Sequence, residues 1–160
     1  MGYRSYSRST NSALITKVTY LGLFGNIARP IGPSFDGWKV TMRLSSQAHQ
    51  EEAPCEASFG VSLGAKKDLD EFDVRKPRSV GSTMELFFDR PEWDPEYPRF
   101  ASDIRAQAIG VEKWDFRVSN EPSTPSRLVF GGINGVPSPF EVYLIDEANG
   151  ISADLASHQS

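Results

Sequence analysis

One cysteine, Cys55, and two histidines, His49 and His158, are all that 160 residues offer of these reactive side chains. A lone cysteine cannot close an internal disulfide, and it excludes a disulfide framework or a cysteine-cluster metal site. Following Pro54 at a strand entrance, Cys55 reads as a small buried apolar residue. His49 lies in a polar stretch and His158 two residues from the end, so both read as solvent-facing. A Ser-His-Asp or Cys-His arrangement would need one of them held rigidly by a third group. No apolar run approaches the roughly 20 residues that cross a bilayer, so no membrane insertion is expected. Gly131-Gly132 lacks the spacing and the following helix of a phosphate loop.

Concentrated positive charge is missing too. Seventeen Lys and Arg stand against 21 Asp and Glu, a net charge of -4, and no nucleic-acid partner is expected of such a balance. The Lys66-Lys67 pair and the Arg75-Lys76-Pro77-Arg78 stretch read as solvated loops. Met1 to Thr10 has no apolar core and does not read as a signal peptide. An exported protein would be represented here by its mature segment, or by a fragment with an added Met.

What is present is strand texture. Trp38-Lys-Val-Thr-Met-Arg-Leu44 alternates, with Trp38, Val40, Met42 and Leu44 on one face and Lys39, Thr41 and Arg43 on the other. Ala57 to Leu63 places Ala57, Phe59, Val61 and Leu63 together, and Lys113 to Val118 turns Trp114, Phe116 and Val118 inward. Leu14–Tyr20, Thr83–Phe88, Phe100–Ala106, Arg127–Phe130 and Phe140–Ile145 complete a set of about eight strands. Gly- and Pro-rich turns separate them, and no helical amphipathic window of useful length interrupts them. The pattern predicts an all-β chain folded as an antiparallel β-sandwich, immunoglobulin-like or jelly-roll-like. The expected organisation is a flexible leader over 1–11, one sandwich domain over 12–155 and a flexible tail over 156–160.

Chemistry, if any, lies with carboxylates and aromatics. Asp68, Asp70, Glu71 and Asp73 place oxygens at close intervals, as calcium loops do, although the glycine and distal glutamate of an EF-hand are missing. Calcium is thus a candidate cofactor there, against a plain solvated acidic loop. A second cluster, Asp89, Glu92, Asp94 and Glu96, interleaves with Trp93 and Tyr97 in a loop whose three prolines keep it out of a sheet interior. Paired acids beside aromatics can form a glycosidase pair, but one loop rarely makes the sugar cleft such a pair needs. Trp93 either stacks on a sugar ring, with Tyr97, Asp94 and Glu96 beside it, or folds over the end of the core as a plug. The plug is favoured, because tryptophan has much apolar area to bury.

The stretch Phe59 to Asp154 resembles an immunoglobulin-like β-sandwich module of large secreted bacterial multidomain proteins, found near C-terminal sorting or attachment domains. The resemblance is carried by Phe59-Gly-Val, Phe72-Asp73 with Pro77, Glu85-Leu-Phe-Phe88, Pro91-Glu-Trp93, Phe100 to Arg105, Trp114-Asp-Phe-Arg-Val118, Val136-Pro137 and Val142-Tyr-Leu-Ile-Asp146. It implies a non-catalytic, secreted or cell-surface spacer, adhesion or assembly element, with neighbouring domains or other protein subunits as partners. It brings no catalytic residues. A carbohydrate-binding module using Trp93 and Tyr97, with a glycan as partner, is one alternative. A subunit that assembles by strand exchange is another, because similar modules continue for a strand or two past the segment matching Val142 to Asp146. That ending leaves an edge expected to be open unless Leu14–Tyr20 covers it.

Overall fold

The computed structural model describes residues 36–48, 52–78, 84–107, 110–120 and 124–156 in full, and the strand backbone over 4–8 and 14–21. Among the described residues, eleven strands run in the order β1 (Arg4–Arg8), β2 (Leu14–Leu21), β3 (Gly37–Ser46), β4 (Cys55–Ser62), β5 (Glu85–Asp89), β6 (Arg99–Phe100), β7 (Ser102–Arg105), β8 (Val111–Ser119), β9 (Ser126–Gly131), β10 (Glu141–Asp146) and β11 (Ile151–Asp154). A single 3-10 turn, Ile133–Gly135, is the only helical element among the described residues. None of it is long and apolar enough to cross a membrane as a helix.

The strands form a five-stranded sheet, β1-β9-β3-β4-β7, and a six-stranded sheet, β11-β10-β2-β8-β5-β6. The all-β expectation is met. Pairing is antiparallel throughout except between β4 and β7, which run parallel. Both sheets feed one core, because the period of two turns alternate residues to the same side. From the first sheet come Trp38, Val40, Met42, Leu44, Phe59 and Phe130, and from the second Leu86, Phe88, Trp114, Phe116, Val142 and Leu144. The sheets meet at Trp114, whose ring lies 5.9 Å from that of Trp38 and 5.3 Å from that of Phe59. The Trp38–Trp114 contact is edge-to-face and the Phe59–Trp114 contact tilted, and aromatic pairs of this kind add to the area they bury.

Four details differ from the sequence reading. Arg4–Arg8, assigned to the flexible leader, is a strand paired in register with β9. Phe100–Ala106 is two strands rather than one. β6 pairs with β5 in the six-stranded sheet, and after Ala101 the chain crosses to pair β7 with β4 in the other. Leu63 does not share the inward face of β4; it is 54% exposed, because the strand ends at Ser62 and the Leu63 amide turns to the Asp36 carbonyl at 2.9 Å. Finally, the edge of β10 expected to be open is filled. β2 lies on one side of it and β11 on the other. The two histidines, the Gly25–Pro33 loop and the tail beyond Ala156 lie outside the described residues.

The edge of β7 is covered without a further strand. The Ala101 and Ala106 amides donate to the carbonyls of Val74 and Lys66, and the Ile104 amide to a carboxylate oxygen of Asp73 at 3.0 Å. A loop thus blunts an edge that would otherwise offer a template to another chain.

Because Trp114 joins the two sheets, Trp114→Ala should destabilise the fold by about 3–5 kcal/mol, the range for removing a large buried aromatic. Urea denaturation followed by far-UV circular dichroism checks this. A loss under about 1 kcal/mol would mean that the sheets do not depend on this ring.

Candidate functional site

The most deeply buried charge lies in β7. Asp103 has no exposed surface and lies beside Trp114, two strand positions from Arg105 on the same face. One of its carboxylate oxygens accepts from Arg105 Nε at 2.8 Å. The other accepts from Arg90 Nε at 2.9 Å, from a second Arg90 nitrogen and from Arg105 Nη2 at 2.9 Å. Arg105 continues to Glu112 at 3.0 Å, and the Asp103 carbonyl takes the Trp114 indole N–H at 3.0 Å. Burial works against the Arg105 cation, but hydrogen bonds and charge from Asp103 and Glu112 outweigh it and raise its pKa. Sequence reasoning missed this cluster because Phe100–Ala106 reads as an ordinary short strand. The available signal was Asp103 and Arg105 two apart, opposite charges on one face of a strand.

A shared device surrounds it. Arg105 lies over the Trp114 ring at 4.9 Å, Arg90 over Trp93 at 5.2 Å, Arg99 over Phe87 at 4.1 Å and Arg75 over Phe100 at 5.7 Å. Each of these guanidiniums also meets a carboxylate: Arg90 and Arg105 at Asp103, Arg99 at Glu85, Arg75 at Asp94. A flat cation layered between a ring and an anion uses both of arginine's modes of contact.

The residues expected to bind a ligand are placed by this device. Trp93 is half-buried, packs edge-on to Phe100 at 5.2 Å and has Arg90 over its face. Trp93 is thus packed against the core, with Arg90 over one face of its ring. Tyr97 stands 62% exposed, and Glu96 is exposed beside it. Asp94 folds the loop by accepting the Glu96 and Tyr97 amides, at 3.0 and 2.9 Å. The Tyr97 amide and then Arg75 hold its carboxyl below the usual range. Asp89 pairs with Arg117 at 2.6 Å and Glu92 faces Arg90, so the loop's acids are spread over different cations rather than paired with each other.

The candidate calcium loop is likewise turned inward. Asp70 accepts the Lys66 and Phe72 amides, at 2.5 and 2.8 Å, and Asp73 accepts those of Asp70 and Ile104, both at 3.0 Å. Asp68 and Glu71 remain exposed. Among the described residues, no three acidic, histidine or cysteine side chains converge as a metal cluster. Cys55 is buried, as expected, and donates its thiol to the Met84 carbonyl at 3.2 Å; burial raises its pKa.

A concave feature lies on the outer face of the five-stranded sheet. A shallow groove of about 610 Å³ runs over β3 and β9, lined by Lys39, Thr41, Arg43, Arg127, Val129 and the Gly131-Gly132 pair. Gly132 closes one end with a φ of +88°, and a Cβ there would stand 2.6 Å from the Lys39 carbonyl oxygen. Only glycine fits that close approach.

Two outcomes follow. Asp103→Ala leaves Arg90 and Arg105 without their shared anion, and should cost about 3–5 kcal/mol in chemical denaturation; a neutral result would show the cluster to be peripheral. Asp73 carries the pH dependence. Burial raises its pKa from 3.8 to about 6, so the folded state holds a proton that the unfolded chain has lost between those values. The favourable contribution is complete below about pH 4 and lost as pH rises through 6, a change on the order of 2 kcal/mol. Urea midpoints at low and neutral pH should therefore diverge more for the wild type than for Asp73→Asn; parallel behaviour of the two proteins would refute it. In comparisons with known proteins, no family model, no curated protein and no solved structure matches this chain.

Proposed function

We propose that this chain is a non-catalytic module that spaces, adheres or assembles, working in a secreted or cell-surface setting as its immunoglobulin-like resemblance implies. The observation that carries the reading is the closure of the Asp103 cluster. A catalytic constellation presents at least one polar group to a substrate. Here both carboxylate oxygens of Asp103, the Arg105 fork and the Trp114 indole are used by one another. Buried charge on these terms fixes loops to a scaffold. The Asp89–Pro98 loop is pinned through Arg90 and the Gly64–Pro77 loop through Asp73, which leaves sheet faces as the surfaces offered to partners.

The two alternatives gain less. A carbohydrate platform needs a free aromatic face, and Trp93 already has Arg90 over one face and Phe100 nearly perpendicular to it at 5.2 Å. Strand exchange at β10 needs a vacant edge, and β2 and β11 occupy both.

Light scattering over a concentration series, together with a glycan array, separates the readings. The spacer reading expects a 17.7 kDa monomer without glycan binding, and a Trp93→Ala variant that loses about 2 kcal/mol of stability as a removed plug should. A glycan signal abolished by Trp93→Ala at unchanged melting temperature would replace it with the carbohydrate reading. Oligomers growing with concentration would favour strand exchange.

A further inference from the structure

The chain is acidic overall, yet its charge is segregated by strand. The adjacent strands β9 and β3 read SRLVFG and GWKVTMRLSS: three cations and no carboxylate, in a protein of net charge -4. On β3, burial of Trp38, Val40, Met42 and Leu44 turns Lys39, Thr41 and Arg43 outward; on β9, burial of Leu128 and Phe130 does the same for Arg127 and Val129. In register, Arg43 lies opposite Val129 and Ser45 opposite Arg127. Residues two apart on one face of a strand are about 7 Å apart. The three cations therefore form a diagonal row, Arg43 about 14 Å from Lys39 on β3, and Arg127 about 7 Å further along the strand direction and about 5 Å to the side, on β9.

We infer that the groove over β3 and β9 is a docking site for an extended acidic polypeptide segment of a partner protein, with Lys39, Arg43 and Arg127 reading carboxylates placed four and then two residues apart on one face of that segment. This rests on the modular reading above and gives the module a surface and a class of partner. Three observations select the occupant. A peptide in strand conformation has the spacing of the cations, because it has the same rise per residue. Arginine forks match carboxylates in a bidentate manner. The outward positions of both strands hold no aromatic ring, so a sugar ring or a nucleobase finds nothing to stack on.

The site also contains its own competitor. On the neighbouring strand, Glu56 lies opposite Arg43 and pairs with it at 2.6 Å, with both side chains about half exposed. It is the one exposed carboxylate in the four strands β1, β9, β3 and β4. An incoming acidic segment displaces it from Arg43, so Glu56 lowers the affinity at that cation from inside the fold.

The test is fluorescence anisotropy with a labelled oligoglutamate peptide of about twelve residues, long enough to span the row. Wild-type protein should bind at low salt and release the peptide as ionic strength rises. Lys39→Ala with Arg127→Ala should weaken binding about tenfold, as two exposed ion pairs allow, with the melting temperature held. Glu56→Gln should strengthen it about threefold. Lys66→Ala with Lys67→Ala removes the same charge from an exposed loop elsewhere and should leave binding as it was. Equal losses in the two double variants, no peptide binding at low salt, or retention of a sulfated glycan in place of the peptide would each overturn the inference. None of these touches the modular reading. Cleavage of the peptide during the titration, seen as new masses, would overturn the modular reading instead.

Discussion

A carboxylate with no solvent contact governs this fold. Asp103 carries a negative charge into the space between the sheets, where an unpaired ion costs several kcal/mol. It is tolerable only because two guanidiniums reach it from different parts of the chain, Arg90 from the Pro-rich loop and Arg105 from its own strand. The consequence runs outward. Arg90 can be in place only if the loop after β5 folds back, and that brings Trp93 onto Phe100. Arg105 can be in place only with its hydrocarbon and charge lodged over Trp114, the residue at which the sheets meet. One buried anion thus couples a loop, a strand crossover and the aromatic centre.

The same economy shows what the acidic loops do for the fold. Asp70, Asp73 and Asp94 look like ligands in a linear chain because closely spaced oxygens can surround a cation. In the folded chain those oxygens terminate backbone amides that would otherwise lack partners at turns and at the β7 edge. Short polar side chains compete for main-chain donors wherever regular pairing stops. Asp73 is the extreme case, since it does the work of a strand carbonyl toward Ile104.

Legibility followed the strength of the period. Trp38–Leu44 and Lys113–Val118 alternate large apolar with polar side chains, and both fall into the core as read. Where the alternation was weak, the outcome depended on distant partners. Arg-Ser-Tyr-Ser-Arg has the composition of a mobile leader, and only pairing with β9, more than a hundred residues later, makes it a strand. Leu63 continues the period of Phe59 and Val61, but the turn to Asp36 ends the strand first. The groove was the least legible of all. Lys39, Arg43 and Arg127 are unremarkable solvent-facing positions until β3 and β9 are known to be neighbours, and the absence of acids between them is a property of the sheet rather than of any segment.

The position of β2 has a consequence for biosynthesis. It is the third strand of its sheet, flanked by β8 and β10, yet it is made early: its partners begin about ninety residues later along the chain. While the ribosome works, Leu14–Leu21 is an apolar, β-branched segment with both main-chain edges unsatisfied, and the six-stranded sheet cannot close until Glu141–Asp146 has emerged. Such distant pairings slow folding. The nascent chain therefore has to hold this strand apart from other chains until β8 and β10 have emerged, a demand that falls on the route to the fold and leaves no trace in the finished sheet.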